Sequence, residues 1–198
     1  LPQTSFLPLQ PVRGQLTTAA QNSASSKLRR VVVAGKYICP ADAGFHSIGA
    51  SYKNLSTDTS TRAEEDLENL QGISGAFSQQ EDLGLTAHDA RAAVRCNAAD
   101  YFPVVGAVPD YQDFIEVFAE LKRNADASIE VPARHQPGLY VNTAHGSYGL
   151  ASCPLAAEYL SSLINDENLP LTNPVADSLN PARFIIRELK KQNVGADE

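Results

Sequence analysis

Residues 139–164 constrain the fold of this chain more than any other stretch. LYVNTA at 139–144 predicts a short buried strand, HGSYG places glycines at 146 and 149, and Leu150, Cys153, Ala157, Leu160 and Ile164 recur at helical spacing. The unit therefore reads as strand, glycine turn, helix. Two glycines there let backbone approach a ligand, while the unpaired N–H groups of the helix start suit an anion or an electron-rich ring edge. A short strand-to-helix connection also needs glycines simply to turn, and these residues alone leave both readings open. A third reading takes Ser147 as a hydrolase nucleophile in a G-x-S-x-G elbow. Against it, His145 replaces the first glycine, and no histidine follows to complete a triad.

Elsewhere the pattern alternates between extended and helical. Residues 4–18 hold Pro8, Pro11 and Gly14 among alternating apolar positions, which predicts an irregular edge strand. Residues 28–38 and 45–52 predict strands of one antiparallel sheet. Thr61 and Glu64 form a capping box, so a helix is expected from about Thr61 to Gly72. Residues 88–110 pass from helix-like to extended through Pro103, Gly106 and Pro109, as a domain crossover would. Tyr111, Phe114, Ile115, Phe118 and Leu121 define one helix face, and Asn180 with Pro181 opens a last helix that ends near Lys190 and Lys191.

The chain has 198 residues, 43% of them hydrophobic, and a formal net charge of −7. A chain of that length buries about 70% of its unfolded surface, which excludes disorder and any need for disulfide staples. Cys39, Cys96 and Cys153 lie far apart and are odd in number, so reduced thiols are expected. The histidines (His46, His88, His135, His145) lack metal-ligand spacing, so no metal is expected. No apolar run reaches the roughly 20 residues of a spanning helix and no signal peptide is recognisable, which gives a cytoplasmic expectation and no membrane partner. A chain opening at Leu1 with no methionine is expected to be part of something larger.

Arginines are the candidate ligand-binding side chains. Arg91 and Arg95 flank RAAVR ahead of CNAADYFPVVG, and a guanidinium stiffened by such a segment suits a carboxylate, although a solvated surface pair is the commoner fate. Arg13, Gly14 and Gln15 carry the same ambiguity between lining a ligand and bending a strand. Arg183, Arg187, Lys190 and Lys191 outnumber Asp177 and Glu188 near the C-terminus, and Lys27, Arg29 and Arg30 form a second basic cluster; both suit either RNA or plain solvent.

Taken in order, LPLQPVRGQL, HSIGASY, AAVRCNAADYFPVVGAVPDY, HGSYGLASCPLAAEYL and LNPARFIIRELKK resemble the C-terminal, FAD-dependent half of the bifunctional tRNA 5-methylaminomethyl-2-thiouridine biosynthesis (MnmC) family. The likeness spans nearly the whole chain. R-C-x-x-x-D-x-x-P-x-V-G at 95–106 and the L-N-P-x-R-x-x-x-R-x-L block are its specific parts, while the glycine turn is shared with the wider D-amino-acid oxidase and glycine oxidase superfamily.

The resemblance implies an α+β fold: an antiparallel β substrate domain at 1–100 and, at 101–198, the C-terminal strand-helix part of an FAD-binding α/β domain with a helical insertion and a C-terminal helix. The family's G-x-G-x-x-G fingerprint is absent, as is its S-adenosylmethionine-dependent methyltransferase domain, so the chain reads as a fragment cut after the first βαβ unit. FAD would be the cofactor of the parent, not retained by the fragment, with tRNA and the methyltransferase domain as partners. The implied reaction removes the carboxymethyl group from carboxymethylaminomethyl-(2-thio)uridine at the wobble position. The alternatives are a glycine oxidase-type oxidase of small amines or amino acids, and a non-catalytic binding fragment. Position by position, the resemblance puts Arg95 on the substrate carboxylate and Gly146, Ser147, Gly149 and Leu150 beside the flavin ring, with Arg13, Gly14 and Gln15 near the same ring. Tyr148 stands where relatives carry arginine, as a substrate contact that brings a hydrogen bond but no charge. No residue is marked as a general base.

Overall fold

Strand pairing, rather than local propensity, organises residues 11–95. The computed structural model describes residues 1–74, 77 and 83–194. These residues divide into two compact units, Pro11–Arg95 and Leu1–Gln10 with Cys96–Glu198. Strand β1 (Leu9–Ala20) and strand β6 (Ala87–Ala98) run across that division, whereas the boundary expected from the sequence lay near residue 100.

In the Pro11–Arg95 unit, β1 is an inner strand and not the expected edge. It pairs antiparallel with β4 (Phe45–Gly49), with the short β5 (Lys53–Asn54), and with β6. Its prolines explain why this is tolerated. Pro8 precedes the strand, and Pro11, which has no N–H to donate, is still held through its carbonyl, which accepts from Leu55 N at 2.8 Å. The β-rich run at 28–38 folds as a hairpin, β2 (Val32–Ala34) and β3 (Lys36–Ile38), turned at Gly35 with φ of 78°. As expected, this region then joins the 45–52 segment antiparallel, through Ile38 opposite Ile48.

Helix α1 (Ala63–Ser74) covers one face of this sheet. Ala19, Ile38, Ile48 and Ile73 form the apolar core beneath it, and Gly72 lies inside the helix instead of ending it. Beside that core runs a buried polar network. Arg13, fully buried, donates to Glu65 Oε1 at 2.6 Å, and Gln15 donates to Asp66 Oδ1 and to the Arg62 carbonyl, both at 2.8 Å. Gln15 Oε1 also accepts from Arg62 N at 2.8 Å, so a strand side chain caps the helix start. His46 is a core residue: Nδ1 donates to the Cys39 carbonyl at 2.8 Å and Nε2 meets Ser25 Oγ at 2.9 Å.

Segment 88–95, whose alanines read as helix-like, is strand β6 throughout, because pairing with β1 overrides a propensity that spans only about 1 kcal/mol.

The other unit holds a two-stranded antiparallel sheet of β7 (Val104–Pro109) and β8 (His135–Thr143), with Gly106 opposite Val141. Helix α2 (Tyr111–Val117) is capped by Asp110, whose side chain accepts from Asp113 N at 3.2 Å. The single helix expected to Leu121 breaks at Phe118 into a 3-10 turn, Ala119–Lys122, yet Phe114 and Leu121 still share one core with Ile185 and Leu189. Strand β8 is longer than expected and alternates between exposed and half-buried residues instead of being buried throughout.

Helix α3 (Gly149–Asn165) buries Ala156, Tyr159 and Ser162, while Leu150, Leu155 and Ile164 are exposed. Its apolar spacing set a helix correctly but not which side is covered. Helix α4 (Asn173–Leu179), which no pattern announced, supplies Ala176 and Leu179 to the same core. Helix α5 (Arg183–Val194) starts two residues beyond Pro181, and Asn180 Oδ1 accepts from Ala182 N at 2.9 Å. Cys39, Cys96 and Cys153 are free thiols. No helix among the described residues is long and apolar enough to cross a membrane.

Candidate functional site

Alternation along β1 separates two faces. Arg13, Gln15 and Thr17 point to α1, so Gly14, Leu16 and Thr18 point the other way. Leu16 lies opposite Gly49, which lies opposite Tyr37, so these residues share that second face. Arg95 reaches the same face. Its guanidinium occupies the space over Gly14, where an added Cβ would lie 2.9 Å from Cζ and closer still to Nη1.

The Arg95 guanidinium is also 5.9 Å from the centre of the Tyr52 ring, within range for a cation–π contact. Its Nη1 is buried and has no hydrogen-bond partner among the described residues. A buried charged donor without an acceptor is costly, so this atom is the unsatisfied group of that face. Burial pushes the Tyr37 phenol above its usual pKa, the Cys39 thiol adds to that, and the charge on Arg95 works against it.

The sequence-predicted neighbours behave differently. Arg13 and Gln15 have their side chains fully buried and turned to α1. Burial works to raise the Glu65 pKa, but hydrogen bonds from Ser51 and Arg13 outweigh it and hold the carboxylate ionised. Of this triplet, only Gly14 borders the open face. Tyr37 and Tyr52 escaped the sequence reading, because their approach to Arg95 depends on strand register.

The glycine turn lies in the other unit. Ala144 is buried with φ of 63°, and His145 forms an isolated antiparallel bridge with Asn97. Gly146 adopts φ of 55° and donates its N–H to the Cys96 carbonyl at 3.1 Å. A Cβ there would overlap the side-chain oxygen of Asn97, so this glycine is required both for its backbone and for space. Ser147 is exposed, Tyr148 is 78% exposed and Leu150 is fully exposed.

Gly149 opens α3, a 17-residue helix whose start has no side-chain cap and no acidic residue in its first turn. Such a terminus presents bare amides and the positive end of the helix dipole, which fits an electron-rich ring edge. His145 bridges Ser152 Oγ at 2.8 Å and Asn142 Oδ1 at 2.7 Å, and burial lowers its pKa. It engages Ser152 and not Ser147, which removes the support for a hydrolase elbow.

Near the C-terminus, Arg183 is buried and donates to Asp100, to the Phe102 carbonyl and to the Leu179 carbonyl; Arg187 also pairs with Asp100. Two of the four cations in the C-terminal basic cluster are thus engaged internally. Lys190 and Lys191 remain exposed. Among the described residues, no group of three or more His, Cys, Asp or Glu could hold a metal ion.

Antiparallel sheets, together with a strand that enters a helix through a glycine turn, agree with the fold of an FAD-dependent oxidoreductase. The chain belongs to the FAD dependent oxidoreductase family, DAO, which it matches over residues 1–163. FAD is the cofactor of that family.

Among curated relatives, the tRNA 5-methylaminomethyl-2-thiouridine biosynthesis bifunctional protein MnmC of Stutzerimonas stutzeri is 40% identical over 193 residues, covering 94% of this chain and 29% of the relative. The protein of the same name from Chromobacterium violaceum is 36% identical over 198 residues, 98% of this chain and 30% of the relative. The chain thus spans less than a third of the length of these relatives. In fold it is similar to the glycine oxidase of Geobacillus kaustophilus, with TM-score 0.63 and 18% identity over 85% of this chain and 39% of that one. It is likewise similar to the iminodiacetate oxidase of a Chelativorans species, with TM-score 0.63 and 20% identity over 84% of this chain and 38% of that one.

Proposed function

We propose that this chain forms part of an FAD-dependent oxidoreductase that removes the carboxymethyl group from carboxymethylaminomethyl-(2-thio)uridine at the tRNA wobble position. Pro11–Arg95 serves as the substrate unit, and the remainder serves as the C-terminal part of the flavin-binding domain. The observation that carries this reading is the Arg95 guanidinium, laid over Gly14 on the sheet face away from α1, with Nη1 buried and without an acceptor among the described residues. Its missing acceptor is the substrate carboxylate, which a guanidinium can grip through two parallel N–H bonds. The names of the MnmC relatives supply the substrate class.

Bound FAD supplies hydride acceptance from the carbon next to the amine nitrogen. Arg95 anchors the carboxylate on that carbon and so fixes which C–H bond is presented. Water adds to the resulting C=N bond, and the aminomethyl group on the uridine separates from glyoxylate. The amides of Ser147, Gly149 and Leu150 would hold the flavin ring and would stabilise negative charge on it, while Gly146 shapes the turn. Tyr148, projecting from the same turn, donates one hydrogen bond to substrate. The protein works in the cytoplasm on tRNA, with an S-adenosylmethionine-dependent methyltransferase domain in the same polypeptide.

The test is flavin reduction in a polypeptide that carries the complete flavoprotein domain. Carboxymethylaminomethyl-tRNA should bleach the flavin and release glyoxylate, faster than glycine or sarcosine does, and Arg95→Ala should abolish that preference. Preference for the free amines would assign a small-molecule oxidase instead, and unchanged kinetics in Arg95→Ala would remove Arg95 from the reaction.

A further inference from the structure

Gly14 is a glycine for one visible reason. Its φ lies outside the left-handed region, so the backbone itself would accept any residue. What excludes a side chain is the Arg95 guanidinium: a Cβ on residue 14 would meet Cζ at 2.9 Å and Nη2 at 3.0 Å, with Nη1 nearer still. The bare backbone of β1 is therefore a floor on which the guanidinium lies.

Tyr52 supplies a second boundary. Its ring centre is 5.9 Å from Arg95 Cζ, and the residue is 47% exposed. Gly14 and Tyr52 both lie against the guanidinium, and a guanidinium grips a carboxylate in its own plane through paired N–H groups.

Both boundaries are anchored from the far side of the sheet. Gln15 N donates to Ser51 Oγ at 2.9 Å, Ser51 N donates to the Gln15 carbonyl at 3.1 Å, and Ser51 Oγ donates to the buried Glu65 carboxylate. Residues 15 and 51 are thus tied directly together. Their chain neighbours, Gly14 and Tyr52, inherit a fixed separation.

We infer that Gly14 and Tyr52 are positioning residues that form a seat for Arg95, holding its guanidinium in one orientation so that an incoming carboxylate meets a preorganised edge. This rests on the reading of Arg95 as the carboxylate anchor and extends it to two residues that need never touch the substrate. An arginine free to sample its many rotamers loses more entropy on gripping an anion than one already laid in place.

The inference is tested on the full chain by NMR titration with two probes, carboxymethylaminomethyluridine and aminomethyluridine, which differ in the carboxylate. Gly14→Ala pushes only the far end of a flexible side chain, so the variant should fold with wild-type circular dichroism while binding the carboxylated probe about tenfold more weakly. Tyr52→Ala should weaken the same probe several-fold, and Tyr52→Phe, which keeps the ring face, should restore it. Affinity for aminomethyluridine should not change in any of the three, a selectivity that general loss of structure would not produce.

Arg95→Ala separates the two levels of the argument. If it loses carboxylate preference while Gly14→Ala and Tyr52→Ala keep it, the seat is refuted and the anchor stands. If Arg95→Ala binds both probes as the wild type does, or the wild type shows no preference, anchor and seat fall together. Should Gly14→Ala fail to fold, the Tyr52 pair decides the matter.

Discussion

Arg183 donates Nε and Nη2 to the two carboxylate oxygens of Asp100, at 2.9 and 3.1 Å, and so binds the C-terminal helix to the segment that follows β6. The two residues are 83 positions apart and belong to the two most distinctive blocks of the sequence. Arg187 adds a second cation to Asp100, and the Arg183 guanidinium lies 4.1 Å from the centre of the Phe184 ring. This arrangement turns residues that read as a basic patch into a structural clamp.

Removing the acid should expose the cost of that clamp. Asp100→Ala leaves Arg183, whose side chain is 5% exposed, without its counter-ion, and should lower unfolding free energy by roughly 3 kcal/mol. Lys191→Ala, on an exposed position of the same helix, should stay within about 0.5 kcal/mol. Urea unfolding followed by circular dichroism measures both, and equal midpoints would show that the pair contributes nothing.

Asp100 also predicts an acid-labile contribution. Burial works to raise its pKa, but the hydrogen bonds from Arg183 and Arg187 prevail and hold it at about 2. A carboxylate depressed in the folded state adds stability above its unfolded pKa, near 3.8, and loses it as pH falls through the folded value. The stability gap between wild type and Asp100→Asn, roughly 2 kcal/mol at neutral pH, should therefore narrow between pH 4 and pH 2. A gap that stays constant down to pH 2 would contradict the assignment.

Burial, not the size of a pKa shift, should decide which acids matter to the Pro11–Arg95 unit. Glu65→Ala strands the fully buried Arg13 and should cost roughly 3–5 kcal/mol. Asp58 pairs with Arg62 in solvent, and although the hydrogen bonds from Ser60 and Arg62 lower its pKa strongly, Asp58→Asn should leave the unfolding midpoint unchanged. Thermal unfolding of the two variants side by side tests the contrast.

The two glycines of the turn should separate cleanly. Gly146→Ala forces a side chain into left-handed backbone and against Asn97, and should destabilise by about 2 kcal/mol. At Gly149 an added Cβ would meet only Cys153 Sγ and His145 Cβ, each at an ordinary 3.8 Å, so Gly149→Ala should be neutral in stability. In a polypeptide that carries the complete flavoprotein domain, any loss of flavin retention in that variant would then report on ligand contact alone.

Much of the chain was legible where the governing interactions are short in range. The glycine turn at 146 and 149 and the Asn180 cap depend on residues within a few positions of one another, whereas the hairpin at Gly35 and the Asp110 cap went unread. The candidate site was legible only in part. Arg95 and the turn stood out through their block of sequence, but Arg13 and Gln15 turned inward, because β1 proved to be an inner strand with a helix on one side.

From its sequence alone, then, this chain determined its family, the glycine turn at 146–149 and the Asn180 cap, since capping and backbone preference are properties of neighbouring residues. Tertiary structure decided that 88–95 is strand, that α3 buries Tyr159 instead of Leu150, and that Gly14, Tyr52 and Arg95 converge. Each of these depends on which surface packs against which. An amphipathic pattern names a candidate face, but only a partner element, brought in by strand register, takes that face out of water.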